Sequence, residues 1–203
     1  MDSKCIPLED IYRKSFFSAR KKLIWRAGIV CDAIVKTFDL KKGSTLIDIG
    51  CAIGEYVMEF KRRGICAWGI EGSSNAKDYF LSDTILLGDL RFPLATGYGK
   101  WDLCISLEVA EHIEPKFATA YVDNLIRLSD TILVTAAPPG QGGHYHVNCR
   151  PKEYWIEKFE LRGYKRNREI ESVYRKELRP FIVRKEIASY YNNAMIFEKN
   201  QEG

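Results

Sequence analysis

Cysteine pairs, long apolar runs and repeats are all missing from this 203-residue chain. Its cysteines, Cys5, Cys31, Cys51, Cys66, Cys104 and Cys149, include no C-x-x-C pair, which excludes a zinc knuckle and argues against a disulfide framework. Cys66 and Cys104 sit in apolar strand contexts, so free buried thiols in a reducing cytoplasm are expected. No stretch approaches the ~20 apolar residues of a membrane span, and the polar N-terminal stretch has no signal-peptide apolar segment. A cytoplasmic protein without a membrane partner is the expectation. Histidine is scarce too: three in all, His112, His144 and His146.

What is present is the composition of a globular protein, 46% apolar and 29% charged, long enough to form one domain with a full core. The net charge of +4 is uneven. Residues 158–185 hold ten Lys or Arg against four Glu, and basic residues also crowd 13–26. Solvated element faces are the preferred reading, with phosphate-bearing partners such as RNA the alternative.

Short apolar strands alternate with helical patterns, which predicts a parallel α/β sheet. Strands are expected at 45–50, 66–71, 84–89, 102–107, 131–136 and 194–198. Helices are expected over 9–38, 54–63 (closed by Gly64), 73–80, 115–128 and 151–162, with strand, helix and strand after that. The stretch 140–147 reads as a flexible loop. In 151–159, Tyr154 or Trp155, with Ile156 and Phe159, recur at packing intervals, so most of this segment is expected in the core. Asn148 and Arg150 are candidates for substrate contact, and Asn148 equally for capping the following helix.

The chemistry concentrates where Leu46-Ile-Asp-Ile-Gly-Cys-Ala-Ile-Gly54 runs from strand to turn to helix, and a second strand ends on Glu71. Gly50 and Gly54 permit a tight turn and close approach of a ligand. Glu71 stands where a carboxylate accepts hydrogen bonds from both hydroxyls of a ribose. A dinucleotide fingerprint would need G-x-G-x-x-G and a pyrophosphate on the helix N-terminus. Here Asp48 precedes the turn, and an anionic strand end suits a cationic ligand carrying an ammonium and a sulfonium.

Three further segments follow in order: a strand ending in Gly88-Asp89, another running into Ser106-Leu-Glu-Val-Ala-Glu-His112, and the glycine-rich loop with His144 and His146. With Asp48-x-Gly50-x-Ala52-x-Gly54 these resemble the class I S-adenosylmethionine (SAM) dependent methyltransferases, and the Ser-Leu-Glu-x-x-Glu-His segment resembles the ubiquinone-biosynthesis type of O-methyltransferase. The match covers about residues 44–165 and departs at Ala52, where the family has glycine, a small-for-small change.

The resemblance implies a Rossmann-like, doubly wound seven-stranded sheet with the last strand antiparallel and helices on both faces. It implies one domain over 1–203: an N-terminal helical cover at 1–40, a cofactor core at 44–165 and C-terminal strands and helix at 166–203. It implies SAM as cofactor, with S-adenosylhomocysteine as product, held by Asp48, Gly50, Ala52, Gly54, Glu71, Gly72, Asp89 and Leu90, with Ser106, Leu107 and Glu108 on the methionine side. Whether the N-terminal helix, with Tyr12, Phe16, Phe17, Trp25 and Arg26, covers the pocket or packs across a sheet edge stays open.

Methyl transfer from a sulfonium is an in-line displacement, in which positioning and proton removal are the protein's tasks. His144 or His146 is the first choice of general base on an acceptor hydroxyl, with His112 a third candidate. If 144–146 is extended, both loop histidines face one side. The competing reading is a divalent metal on Glu108, Glu111, His112 and His144, an arrangement resembling the small-RNA 3′-terminal 2′-O-methyltransferases. Three functions are therefore carried forward. One is methyl transfer to an oxygen of a small-molecule or sugar-like acceptor. The others are metal-dependent RNA 2′-O-methylation and a SAM-binding partner subunit without catalysis.

Overall fold

The computed structural model describes residues 5–95, 97 and 99–200, and the ends of the 1–203 span expected as one domain lie outside them. Its centre is a seven-stranded sheet of β1 (Thr45–Ile49), β2 (Cys66–Glu71), β3 (Ile85–Leu87), β4 (Leu103–Leu107), β5 (Thr131–Thr135), β6 (Tyr164–Arg166) and β7 (Ala194–Lys199), in the order β3-β2-β1-β4-β5-β7-β6. The pairings among β1 to β5 are parallel, and β7 runs antiparallel to both β5 and β6. The helices are α1 (Leu8–Ile11), α2 (Lys14–Arg20), α3 (Trp25–Thr37), α4 (Glu55–Arg62), α5 (Ala118–Leu128), α6 (Lys152–Glu160), α7 (Arg168–Leu178) and α8 (Lys185–Asn193).

Strand alternation sorts the core into two layers. Leu46, Leu103, Ile105, Leu133 and Ile196 pack with α3, α4, α7 and α8, through Ile34, Phe60, Tyr174 and Tyr190 among others. Ile47, Cys104, Ile132, Val134, Met195 and Phe197 pack on the other face with α5 and α6, through Tyr121, Leu125, Trp155 and Phe159. Burial on both faces explains why these strands read as near-continuous apolar runs.

Four expectations need correction. Residues 9–38 are not one helix: α1, α2, a 3-10 turn at Lys21–Leu23 and α3 follow one another, with breaks at Tyr12–Arg13 and Ile24. The C-terminal stretch holds two helices, α7 and α8, between β6 and β7 where one was expected. Cys66, at the start of β2, is exposed, whereas Cys31, Cys51 and Cys104 are buried free thiols. The segment at 73–80 is a 3-10 turn, Ser74–Tyr79.

Two backbone positions shape the turn after β1. Gly54 caps α4 at φ +77°, and a Cβ there would stand 2.3 Å from Ile85 Cδ1. Gly54→Ala should therefore lower stability by roughly 2 kcal/mol, left-handed strain adding to displacement of Ile85. That corresponds to a Tm drop of about 4–8 °C, to be read by calorimetry. Ala52 also sits in the left-handed region, at φ +51°, so the departure from glycine costs backbone strain even though it costs little room.

Candidate active site

β1 and β4 are neighbours whose chain connections lead to opposite halves of the sheet, and the crevice outside their carboxyl ends is where such sheets bind ligands. A cavity opens there. Its floor and walls include Gly50 and Ala52 after β1, Glu71 and Gly72 after β2, Asp89, Leu90 and Arg91 after β3, and Leu107, Glu108 and His112 after β4. Leu8, Ile11, Tyr12, Phe16, Phe17 and Arg20, from α1 and α2, line it from above. The N-terminal segment thus forms part of the cavity wall. It is tied down by Arg91, which donates to the Ile6 carbonyl at 2.7 Å, and by Asn75, which donates to the Glu9 and Tyr12 carbonyls.

Glu71 is buried at the cavity wall and accepts hydrogen bonds from Ala52 N–H and Ser73 N–H, both at 2.9 Å. Burial pushes its carboxyl up to about 7, the two backbone donors resisting the rise. Asp89 lines the cavity, but its carboxylate is gripped by the Arg91 guanidinium at 2.7–3.1 Å, with the Arg91 N–H as a further donor. Arg91 was not singled out from the sequence, although it stands only two residues from Asp89.

Asp48 and Gly54 lie behind the turn and do not line the cavity. Asp48 is buried and its Oδ2 has no partner; burial, with Glu55 and Glu71 adding to it, holds its carboxyl well above the ordinary range. Close by, Glu55 is fully buried and accepts from Arg20 at 2.8 Å and Arg26 at 3.4 Å. Arg20 Nε, Arg26 Nε and Glu55 Oε2 are likewise buried without partners. Buried polar atoms of both signs are thus left without partners beside one loop, and of these residues Arg20 alone lines the cavity. Ser106 is drawn away from the cavity: its hydroxyl donates to the Ile49 carbonyl and accepts from Tyr121, tying β4 to β1 and α5.

After β4 the chain turns sharply, with Glu108 at φ +55°. Its carboxylate accepts from Gln141 Nε2 at 2.9 Å and from Asn193 Nδ2 at 3.0 Å, two partners remote in sequence that the sequence reading missed. A residue in the left-handed region is thus fixed by two distant segments, which holds its geometry.

The histidines separate. His144 donates through Nε2–H to the Ile11 carbonyl at 2.8 Å and packs on Tyr12 and Phe16, so it fastens the N-terminal cover. His146 turns the other way. The loop is not extended, because Tyr145 between them adopts φ +52°, and the expected shared side is lost. His112 and His146 instead face each other, ring centroids 4.9 Å apart.

Each of these two directs Nδ1 at a backbone carbonyl, His112 at Tyr145 (3.2 Å) and His146 at Gln141 (2.9 Å). A carbonyl only accepts, so both Nδ1 atoms carry the proton and both Nε2 lone pairs are free. His146 Nε2 is 3.9 Å from Glu111 Oε1. Glu111 is fully buried with neither carboxylate oxygen partnered, and burial together with Glu108 pushes its carboxyl up. Burial, with His146 adding to it, pulls the His112 imidazole down to about 4, so it is neutral at ordinary pH.

One donor atom from each of Glu111, His112 and His146 lies within 4.8 Å of the others. Two imidazoles with carbonyl-fixed tautomers and one orphan carboxylate fit a divalent transition metal. This set differs from the one expected: His146 replaces His144, and Glu108 is committed to Gln141 and Asn193. Asn148 does not cap α6, whose N-cap is Pro151; its N–H donates to the Glu111 carbonyl, and its Nδ2 is buried without a partner.

No protein-family model and no curated protein sequence matches the chain. Solved structures do. A TehB-like SAM-dependent methyltransferase from Corynebacterium glutamicum superposes with a TM-score of 0.67 over 92% of this chain and 98% of that one, at 18% identity. Magnesium protoporphyrin IX methyltransferase from Synechocystis, solved with bound S-adenosylhomocysteine, gives 0.57 over 98% and 90%, at 15% identity. The [4+2]-cyclase SpnF gives 0.58 over 86% and 82%, also at 15% identity. A cyclase beside two methyltransferases shows that this architecture does not by itself dictate the reaction. The chain has the class I methyltransferase fold, a seven-stranded mixed sheet flanked by helices.

Proposed function

We propose that the chain transfers the methyl group of S-adenosylmethionine to an oxygen of a small-molecule or sugar-like acceptor. The observation that carries this reading is Glu71: a carboxylate at the end of β2, fixed by two backbone N–H groups and facing the cavity beside Gly50. That is the acceptor a ribose diol requires. Gly50, Ala52, Gly72 and Leu90 form the walls around the nucleoside, and Asp89, which lines the cavity with both oxygens held by Arg91, would have to share an oxygen to meet the adenine amino group. Leu107 and Glu108 border the methionine side, where Arg20, which lines the cavity while paired to Glu55, would meet the carboxylate; Asp48 and Glu55 themselves stand behind the cavity wall.

The acceptor enters beside His112, which lines the cavity and, pulled down to about 4 by burial, offers its hydroxyl a neutral hydrogen-bond acceptor and only a weak base. His146 stands behind it, and His144 has a fastening role. A second reading is favoured by one observation, the convergence of Glu111, His112 and His146. These three residues would hold a divalent ion, which supplies Lewis acidity that lowers the pKa of an acceptor hydroxyl. Metal-dependent 2′-O-methylation of RNA belongs to this reading, with the basic flanks meeting phosphates.

Calorimetric titration with S-adenosylhomocysteine comes first, followed by transfer of labelled methyl from SAM to a panel of hydroxylated acceptors, with and without chelator. Micromolar binding and chelator-resistant transfer to a small acceptor support the first reading. Transfer only with metal, and only to RNA, supports the second. Binding without turnover on any acceptor leaves a regulatory SAM-binding subunit, and no binding by the folded protein removes all three.

A further inference from the structure

Eight consecutive residues from the end of α7 into the first turn of α8, Arg179 to Glu186, are exposed. At their centre Phe181, Ile182 and Val183 are apolar, and Val183 is 88% exposed. Arg179 precedes this triplet, and Arg184 and Lys185 follow it. Arg184 lies 4.8 Å over the ring of Trp25, itself 40% exposed, which carries the apolar surface onto the start of α3.

The charge around the triplet is uncompensated. Among the described residues no carboxylate pairs with Lys176, Arg179, Arg184 or Lys185. The nearby acids are engaged elsewhere, Glu177 by Lys36 and Glu171 by Arg166 and Arg175, leaving only Glu186 opposed to the cations. The packing of α7 and α8 gives no reason to display Ile and Val here, since the core is served by Tyr174, Leu178, Ile187 and Tyr190 on either side.

A run of aliphatic residues ringed by unpaired cations matches a particular kind of surface. Single-stranded RNA is bound by stacking bases on aromatic faces; here the Trp25 ring is already covered by Arg184, Phe181 is the one aromatic of the triplet, and the most exposed side chain is the aliphatic Val183. An anionic bilayer surface accepts aliphatic side chains at the headgroup boundary without needing a shaped pocket, and it complements the cations in charge. We propose that the Arg179–Lys185 turn docks the protein on an anionic lipid surface. Phe181, Ile182 and Val183 enter the headgroup boundary, while Arg179, Arg184 and Lys185 meet phosphates. This peripheral contact needs no spanning helix, and no helix among the described residues is long and apolar enough to cross a membrane. It also has a bearing on the cavity. The turn leads into α8, about 14 Å long, whose far end supplies Asn193 to Glu108.

The test is co-flotation with vesicles of phosphatidylcholine alone or with about one-third phosphatidylserine. Wild type is compared with Ile182→Ser/Val183→Ser and with Arg179→Glu/Lys185→Glu. Wild type should float with the anionic vesicles only, and each double variant should bind at least ~10-fold more weakly. Tm and S-adenosylhomocysteine binding should stay as in wild type, which separates this proposal from the cofactor reading. Wild type failing to float, or both variants floating like wild type, overturns it. So does a result in which the substitutions weaken an RNA complex or dissolve a dimer while vesicle binding is untouched.

Discussion

Glu71→Ala should weaken S-adenosylhomocysteine binding by roughly 100-fold or more, because two hydrogen bonds to a charged acceptor are lost together. The variant also leaves Ala52 N–H and Ser73 N–H without their acceptor, so its Tm must be compared with wild type before the affinity is interpreted. Glu71→Gln keeps the shape but places an amide NH2 where an oxygen now accepts. An affinity within threefold of wild type in both variants would remove Glu71 as the ribose acceptor.

The same residue predicts a pH dependence. Its carboxyl titrates near 4.5 in an unfolded chain and at about 7 in the ligand-free fold. A diol needs the carboxylate, so affinity should be full above about 7 and fall up to about tenfold per pH unit below it. Stability of the ligand-free protein runs the opposite way. Between the two values the fold holds a proton that the unfolded chain has released. The stabilising contribution is therefore full below 4.5 and is lost as pH rises through about 7. Its size is at most ~3 kcal/mol. Denaturant titrations of wild type and Glu71→Gln across that window should differ by this slope, and superimposable profiles would show that the carboxyl is not perturbed.

The second large effect is expected at Glu111. Its two orphaned oxygens are buried, Oε1 lies 3.9 Å from His146 Nε2, and a donor nitrogen of His112 is within 4.8 Å of the cluster. Glu111→Gln should stabilise the ligand-free fold by about 1 kcal/mol at neutral pH, since the buried carboxyl must hold a proton that the unfolded chain releases and an amide need not. Turnover should nonetheless drop roughly 100-fold or more if these groups hold a metal or the acceptor. A stabilised yet inactive Glu111→Gln variant is the pattern of a site kept at the expense of stability. Metal content by mass spectrometry divides the two chemical readings: a bound divalent ion lost in Glu111→Gln and His146→Ala supports the metal. Unaltered turnover in both variants would make the cluster structural.

The parts legible in the sequence are those set by short-range pattern. Strand–turn–helix order put Gly50, Glu71, Asp89 and Glu108 at strand ends, and the parallel sheet gathers them in one crevice. Ser106 shows the limit: adjacent to Leu107 in sequence, it points to the opposite face of β4 and is consumed by Ile49 and Tyr121. The histidine pair shows another, because a single left-handed residue, Tyr145, sends His144 and His146 apart, and nothing in its residue type announces that. Asn193 was invisible because its contact with Glu108 depends on where α8 ends against β5 and β7. The breaks in the N-terminal helix carry no proline or glycine either; they follow from the chain bending over the cavity.

The place of β7 has a consequence for biosynthesis. β7 is last of the seven strands in chain order, yet it sits inside the sheet, between β5 and β6. While a ribosome is still adding residues before Ala194, the outer edge of β5 stays open, and β6, complete at Arg166, has no strand to pair with. An apolar strand with an open edge invites pairing with other chains. The nascent protein thus carries an aggregation hazard until its final strand is threaded home, and the sheet becomes whole in one late step.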